Sequence, residues 1–439
     1  KATAEEQIIL AKYVGWGGLA NALTPGKSGW ETQYEEIKSL LTEAEFQAAQ
    51  ESTLTAYYTA QGIIRHIYQA LENFGFHGGN ILDPAMGTGN FFSALPESMS
   101  DSRLYGVELE TISGHIAKHL YPGADIQIKG FELTNYPDQF FDVVIGNFPF
   151  NSFRVDDPRY NRYHFRIHDY FLAKSLDKIR PGGMIAVIVS KFTMDKGNSS
   201  SRRYLAQRAE LLGAIRLPNN AFIKVAGTDA TTDILFLKKR EREIVPDEIN
   251  SPWLSVEQNA DGIPMNIWFI NHPEMVLGKM VFDIGVYNNE QSTACHPLEG
   301  DDLDERLKRA VSYLEGKYEE PEQEEDMPGK DGLTERNSIP ADPKVRNFAY
   351  ALVEGKLYYR EHSLMYEQDI TGKKAERIRV LLEITQAVRD LIDFQNQEQR
   401  NLSGAAYEAA LQEHIGNLNR VYDRFVKECG YINAYANVT

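Results

Sequence analysis

The amino-acid sequence predicts an α/β protein built on a mostly parallel β-sheet with helices on both faces. Two stretches carry this prediction. Asp142 to Phe150 reads DVVIGNFPF, an apolar strand that stops at Gly146 and continues into a polar and aromatic tip. Ile81 to Phe92 reads ILDPAMGTGNFF, a second strand that ends in an acid and a glycine-rich turn. Open α/β sheets bind ligands at the carboxyl ends of their strands, so we expect the two tips to line one cleft.

Length and composition bound the possible classes of protein. A chain of 439 residues, 42% of them hydrophobic, is long enough for two or three domains. Its two cysteines, Cys295 and Cys429, indicate neither a disulfide framework nor a zinc site, and we expect no metal. We expect no membrane span and no signal peptide, hence a cytoplasmic protein. Because the chain begins at Lys1, we also expect it to be part of a longer polypeptide.

The net charge of −17 argues at first against a nucleic-acid partner, since phosphate binding needs positive potential. The acidic residues, however, are concentrated in one segment of the chain. Residues 299–335 hold fourteen acidic and five basic residues, about half of the total net charge. This segment has the composition of a linker, and the rest of the chain is closer to neutral.

Helices and strands alternate through the first half of the chain. Residues 1–53 read as helix, turn, helix, and Leu54 to Thr59 precede a further helix. That helix is indicated by apolar residues at helical spacing (Ile63, Ile64, Ile67, Tyr68, Leu71). Further strands are predicted at Leu104 to Leu109 and Ile126 to Glu132.

The glycine turn, residues 84–89, has the features of a ligand-binding loop. Gly87 and Gly89 allow close approach of the backbone, and Asp83 can accept a hydrogen bond from a cationic ligand group. No Gly-Lys-Ser/Thr follows, which excludes a P-loop, and the dinucleotide fingerprint is also absent. Glu108, at the end of the second strand, is placed to accept ribose hydroxyls. Taken alone, such an acid is more often a solvated loop residue.

Cations and aromatics alternate after residue 150. The cations that we consider for contacts to phosphates are Arg154, Arg159, Arg162 and Arg166, with Lys191 after the fifth strand. The interleaved aromatics, such as Tyr163 and Phe165, suit unstacked bases. A solvated loop neutralised by Asp156 and Asp157 explains the pattern equally well.

The chain therefore divides into five expected regions. They are a helical extension (1–53), an α/β domain (54–240), a mixed extension (241–300), an acidic linker (301–343) and a helical region (344–439). In the α/β domain, strands at Met184 to Val189, Leu212 to Leu217 and Ile234 to Lys238 follow the two tips. In the last region, two apolar stripes separated by Ser403-Gly404 predict an antiparallel helical pair.

The glycine turn, the acid at Glu108 and the tetrad Asn147 to Phe150, in this order, resemble the class I S-adenosylmethionine-dependent methyltransferases. The resemblance covers residues 54–240 and is closest to the enzymes that methylate adenine N6 in DNA. It implies a Rossmann-like sheet of seven strands with an antiparallel hairpin partner, S-adenosylmethionine as cofactor, S-adenosylhomocysteine as product, and DNA as partner. It also implies a base-flipping mechanism.

The resemblance assigns roles to individual residues. Those implied to bind the cofactor are Tyr57, Tyr58, Thr59, Asp83, Pro84, Ala85, Gly87, Gly89, Glu108, Leu109, Phe131 and Glu132. Those implied to be catalytic are Asn147, Phe148, Pro149 and Phe150. Asn147 and the main-chain carbonyl of Phe148 would accept hydrogen bonds from the amine, and Phe150 would stack on the base. Two positions depart from the family pattern, because Phe148 replaces a proline and Glu132 stands where aspartate is commoner.

Other interpretations stay open. The tetrad is also similar to that of protein-glutamine methyltransferases. A strand and turn that only pack Phe148 and Phe150 in the core would show the same sequence pattern. A DNA- or partner-binding module with this fold but without turnover, as in anti-restriction, is the main alternative. The Gly15-Trp16-Gly17-Gly18 turn and the helical tail resemble the methylase region of large methylase-helicase proteins of phages and conjugative elements. That resemblance implies a Swi/Snf-type helicase after Thr439.

Overall fold

The computed structural model describes most of the chain as two compact units, Lys1–Pro321 and Glu322–Thr439. The described residues are 2–13, 15–16, 19–52, 59–150, 153–222, 229–283, 292–300, 302–320, 337–342, 345–361, 364–398 and 404–432.

The first unit contains helices on both sides of a large sheet. Its described helices are α1 (Ala4–Leu10), α2 (Glu31–Leu40), α3 (Glu43–Ser52), α4 (Gln61–Asn73), α5 (Asn90–Ser93), α6 (Thr111–Leu120), α7 (Ile167–Lys178), α8 (Phe192–Asp195), α9 (Ser200–Arg208), α10 (Ile267–Asn271) and α11 (Leu303–Ser312). Its sheet strands are β1 (Asn80–Asp83), β2 (Arg103–Glu108), β3 (Asp125–Ile128), β4 (Phe141–Asn147), β5 (Ile179–Ser190), β6 (Ala209–Leu217) and β7 (Thr232–Lys239).

The seven strands lie in the order β3-β2-β1-β4-β5-β7-β6. The pairs from β3 to β5 are parallel, and β7 runs antiparallel to both β5 and β6. This arrangement confirms the predicted class I methyltransferase fold, including its antiparallel partner strand. The parallel order places the ends of β1, β2, β3 and β4 along one rim of the sheet.

The core of this unit follows the apolar pattern of the sequence. In β4, the residues from Phe141 to Gly146 are buried, as expected for a central parallel strand. In α4, the predicted stripe that includes Ile64 and Ile67 is buried against the sheet. Each such side chain contributes about 1.5–3 kcal/mol through burial. The glycine turn and the tetrad are therefore attached to rigid strands.

Within the first unit, the mixed extension contains two small hairpins and packs against a buried ion cluster of the α/β domain. The hairpins are β8 (Val256–Gln258) with β9 (Pro264–Asn266), and β10 (Lys279–Phe282) with β11 (Thr293–His296). Arg216 of β6 is fully buried and pairs with Asp233 at 2.8 Å and Asp195 at 2.7 Å. Its guanidinium also lies 4.2 Å from the ring centroid of Phe269 in the extension.

The first part of the predicted acidic linker is folded, which corrects the boundary at residue 301. Helix α11 buries Leu307, Ala310 and Val311, and the helix contacts α4. Further along, the Tyr318 hydroxyl donates to Asp142 at 2.9 Å. The acids within this helix, Asp304 and Glu305, lie on its exposed side, so the acidic composition concealed the apolar stripe.

The second unit is not wholly helical, which corrects the prediction for residues 344–439. It contains a four-stranded antiparallel sheet in the order β12-β15-β14-β13. The elements are β12 (Ser338–Pro340), β13 (Tyr350–Val353), β14 (Lys356–Glu361), β15 (Leu364–Glu367), α12 (Gly372–Glu398) and α13 (Gly404–Cys429). The two predicted helices are present, with Val380 and Ile384 packed around Phe425. None of the described helices has the length and apolarity required to cross a bilayer.

Candidate active site

The two predicted tips meet at one rim of the sheet. Strands β1 and β4 are parallel neighbours, with Ile81 opposite Val143 and Leu82 opposite Val144. Two residues further along β4, Gly146 has a φ of +142°, and a Cβ atom built on it would lie 2.7 Å from Asp83 Oδ1. A glycine is therefore needed for the two strand ends to approach this closely. The predicted meeting of the glycine turn and the tetrad is confirmed.

The glycine turn is held by packing as well as by its own conformation. Gly87 and Gly89 have positive φ values of 55° and 92°. A Cβ on Gly89 would lie 2.4 Å from the Tyr121 ring, and the Tyr121 hydroxyl donates to the Gly89 carbonyl at 2.9 Å. Tyr121 therefore fills the space beside Gly89, and a residue with a side chain does not fit at this position of the turn.

Asp83 presents a buried carboxylate to the cleft. The side chain is 1% exposed, and Oδ1 accepts a hydrogen bond from the Ala85 amide at 3.2 Å. Oδ2 is buried and has no hydrogen-bond partner within the described part of the chain. Burial, assisted by the charge of Glu108, raises the pKa of Asp83 to about 8. A buried acceptor without a partner is costly, so this oxygen is suited to a cationic ligand group.

Glu108 joins the glycine turn to the end of β2. Its Oε2 accepts from the Gly87 amide and its Oε1 from the Glu110 amide, each at 2.7 Å. Burial raises the pKa of Glu108 to about 7. Each carboxylate oxygen keeps a second lone pair, so the fixed carboxylate can still accept from hydroxyl groups. The neighbouring Leu109 is 74% exposed, which leaves an apolar side chain uncovered beside it.

Two of the predicted cofactor residues follow β3. Phe131 is buried, with its ring centroid 5.3 Å from that of Phe171 in α7. The carboxylate of Glu132 folds back over Gly130, where a Cβ would lie 1.9 Å from Oε1. Phe131 and Glu132 therefore follow the end of β3, as Asp83 stands at the end of β1 and Glu108 at the end of β2. Tyr57 and Tyr58, also predicted to bind the cofactor, lie outside the described residues.

The first two residues of the tetrad, Asn147 and Phe148, are held by contacts to other segments of the domain. The Asn147 amide donates from Nδ2 to Thr59 Oγ1 at 3.2 Å, and Thr59 is buried. Phe148 is fully buried against Phe171, at 5.5 Å between centroids. Its main-chain amide donates to the Ile188 carbonyl at 3.0 Å. A proline has no N–H for this bond, so the bond to β5 replaces the rigidity that a proline gives.

The predicted DNA-binding cations fall into two groups. Arg154 and Arg162 are exposed, and Arg166 is half-buried at the start of α7. Arg159 is paired with Asp138 at 2.8 Å and Asp177 at 3.1 Å.

Lys191 does not present a charge to the surface, which corrects its assignment. The side chain is 8% exposed, and Nζ donates to Thr293 Oγ1 at 2.8 Å. Strand β11 of the mixed extension covers the end of β5 at this point.

Sequence reasoning missed two polar contacts within the site. The bond between Thr59 and Asn147 joins residues 88 positions apart, and nothing in the local pattern indicates it. The second is an ion pair between Asp157 and Lys174 at 2.9 Å. A lysine within the apolar sequence of α7 is the signal that predicts a buried partner. Among the described residues, no group of three or more His, Cys, Asp or Glu side chains is arranged to hold a metal ion.

Comparison with known proteins gives a consistent family match. A family model described as N-6 DNA Methylase matches residues 39–279, which is more than half of the chain. Defense against restriction protein B of Escherichia phage P1 is 30% identical over 233 residues, covering 52% of this chain and 10% of that protein. The Type I restriction enzyme EcoEI methylase subunit of Escherichia coli is 24% identical over 210 residues, covering 42% of each chain.

Among solved structures, a modification subunit of a putative type I restriction enzyme from Vibrio vulnificus YJ016 aligns with a TM-score of 0.37 at 17% identity. The alignment covers 54% of this chain and 62% of that one. The chain spans less than half the length of the two curated relatives named above.

Proposed function

The chain belongs to the N-6 DNA Methylase family, and we propose that it transfers a methyl group from S-adenosylmethionine to the N6 amino group of adenine in DNA. The observation that carries this proposal is the meeting of Asp83 and Gly146 at one rim. A donor held by the glycine turn and an acceptor held by the tetrad would then lie side by side. Methyl transfer requires this alignment more than it requires a strong base.

The residues at the ends of β1, β2 and β3 fit the cofactor in order. The partnerless Oδ2 of Asp83 suits the ammonium group of its methionine part, and Glu108 suits the ribose hydroxyls. Leu109 and Phe131 would contact the adenine ring, with Glu132 near its amino group. When bound, the cofactor supplies an electrophilic methyl group on a sulfonium. The buried carboxylates and the glycine backbone hold it in one orientation.

The tetrad would prepare the acceptor. The lone pair of an adenine amino group is delocalised into the ring, so hydrogen bonds to both amino hydrogens are needed to direct it outward. Asn147 Nδ2 donates to Thr59 Oγ1, and the side-chain oxygen of Asn147 would accept from the amine. The Phe148 carbonyl would supply the second acceptor, and its position is fixed by the bond to Ile188.

DNA binding would involve a base rotated out of the duplex. An enzyme that acts on a paired base must expose it, and Phe150, which is half-buried, would stack on it. The exposed Arg154 and Arg162 would contact backbone phosphates. As the sequence resemblance implies, we also propose that a Swi/Snf-type helicase accompanies this region in the intact polypeptide.

The test is methyl transfer from labelled S-adenosylmethionine to DNA by the wild type and two variants. Asn147→Ala should lower kcat by about 100-fold or more and leave the Kd for the cofactor unchanged, because it removes one preorganised hydrogen-bonding group. Asp83→Asn should instead weaken cofactor binding. Asn271→Ala, at an exposed position, is the matched control. Wild-type transfer by Asn147→Ala, or transfer to a peptide amide in preference to DNA, would contradict the proposal.

A further inference from the structure

Helix α7 lies between the two halves of the proposed site. Phe171 contacts Phe131 at 5.3 Å on one side and Phe148 at 5.5 Å on the other, measured between ring centroids. Phe131 belongs to the proposed cofactor pocket and Phe148 to the tetrad. The three rings therefore form a continuous apolar contact from one half of the site to the other.

Lys174, one turn further along α7, makes a polar bridge beside these rings. Its side chain is 5% exposed, and Nζ donates to Asp157 Oδ2 at 2.9 Å and to the Glu132 carbonyl at 3.2 Å. The same ammonium lies 5.1 Å from the ring centroid of Phe131. A buried ammonium requires such partners. The two oxygen partners of Lys174 lie in two different loops, one after β3 and one after the tetrad.

Asp157 fixes the course of the segment that follows the tetrad. The side chain is 7% exposed and also accepts from the Tyr170 hydroxyl at 2.8 Å and the Arg159 amide at 3.1 Å. Its main-chain carbonyl accepts from the amides of Tyr160 and Asn161, both at 2.9 Å. A displacement of Asp157 therefore displaces the start of the short helical turn at Asn161–Tyr163.

We propose that Lys174 is a positioning residue that couples cofactor binding to DNA binding. The inference rests on the proposed function, since it takes the loop after β3 as part of the cofactor pocket and the segment after the tetrad as part of the DNA contact. A ligand that orders one of these two loops also fixes the ammonium of Lys174. The fixed ammonium then holds the other loop. The second ligand then has less motion to suppress, so each ligand strengthens the binding of the other by the same factor.

Lys178 provides a matched control on the same helix. It is 8% exposed, and its Nζ donates to the Tyr136 carbonyl at 2.6 Å and to Asp138 at 2.7 Å. Residue type, burial and partner chemistry thus match those of Lys174. Its partners, however, lie in the segment that leads into β4, at the rim opposite the site.

The experiment measures the Kd for S-adenosylhomocysteine by titration, alone and with a saturating adenine-containing duplex. For the wild type we expect the duplex to lower this Kd by about 5- to 150-fold, the usual range of coupling. For Lys174→Met, the ratio of the Kd without the duplex to the Kd with the duplex should be close to one. Lys174→Arg, which keeps the charge and the donors, should retain most of the coupling. Lys178→Met should keep the wild-type ratio.

Lys174→Met also leaves the Asp157 carboxylate buried without its cation, which destabilises the fold. The double variant Asp157→Asn/Lys174→Met removes both charges and gives a second, folded test, for which a ratio near one is again expected. Wild-type coupling in either folded variant, or a ratio of one in an active wild type, would overturn the role of Lys174. A wild type that binds no cofactor and transfers no methyl group would overturn the proposed function as well.

Discussion

Adding one methyl group at Gly146 should separate the two strand ends that form the site. In Gly146→Ala the new Cβ would lie 2.7 Å from Asp83 Oδ1 and 3.3 Å from its Cγ, where ordinary contact begins at 3.4 Å. The carboxylate must therefore move by about 0.7 Å. The φ of +142° adds strain, because residues with a side chain rarely adopt it. Strain of about 1–3 kcal/mol and overpacking of about 1–3 kcal/mol give an expected loss of about 2–6 kcal/mol in the free energy of unfolding.

The assay combines denaturant unfolding with titration of S-adenosylmethionine. Displacing the Asp83 carboxylate weakens a charged hydrogen bond worth about 1.5–3 kcal/mol, so we expect the Kd to rise by about 10- to 150-fold. Gly123→Ala is the control, since a Cβ there meets nothing within 4 Å. If Gly146→Ala matched Gly123→Ala in both measurements, the proposed contact between the strand ends would be refuted.

Three further predictions follow from buried groups. The Asp83 carboxyl has a pKa of about 8 and must lose its proton to pair with an ammonium, so cofactor affinity should fall about tenfold per pH unit from pH 8 to pH 6. Titrations at several pH values measure this, and a fall in affinity between pH 8 and pH 7 that persists in Asp83→Asn would contradict it, since Glu108 with its pKa of about 7 titrates mainly below that range. Thr59→Val should lower kcat about tenfold without changing the cofactor Kd, whereas Thr59→Ser should not. Steady-state kinetics test this, and a changed Kd with normal kcat would instead return Thr59 to the cofactor pocket. Arg216→Met leaves Asp233 and Asp195 buried without their cation and should cost about 3–5 kcal/mol in denaturant unfolding. An unchanged unfolding midpoint would show that this ion cluster does not hold the fold.

The sequence predicted that the ends of β1 and β4 lie close together, and the structure shows this proximity. Asp83 and Asn147 each follow an apolar run, and parallel strands deliver such residues to the same rim. Their positions at strand ends therefore indicated, from the sequence alone, that these two residues would be neighbours.

Contacts between segments that are far apart in the sequence could not be predicted from the local sequence pattern. Lys191 follows a strand end like the other site residues, but Thr293, 102 positions later, covers it. The partner of Lys174 lies in a loop whose course depends on tertiary hydrogen bonds rather than on periodicity. In the same way, Tyr318 shows that an acidic composition can conceal a segment that docks through a few apolar and aromatic residues.

The most direct measurement is nucleoside analysis of DNA incubated with the protein and methyl-labelled S-adenosylmethionine. We expect the label in N6-methyladenine, and its near absence when Asn147 is replaced by alanine. Label in cytosine, or equal labelling by the Asn147→Ala variant, would contradict the joint action of the glycine turn and the tetrad in adenine methylation.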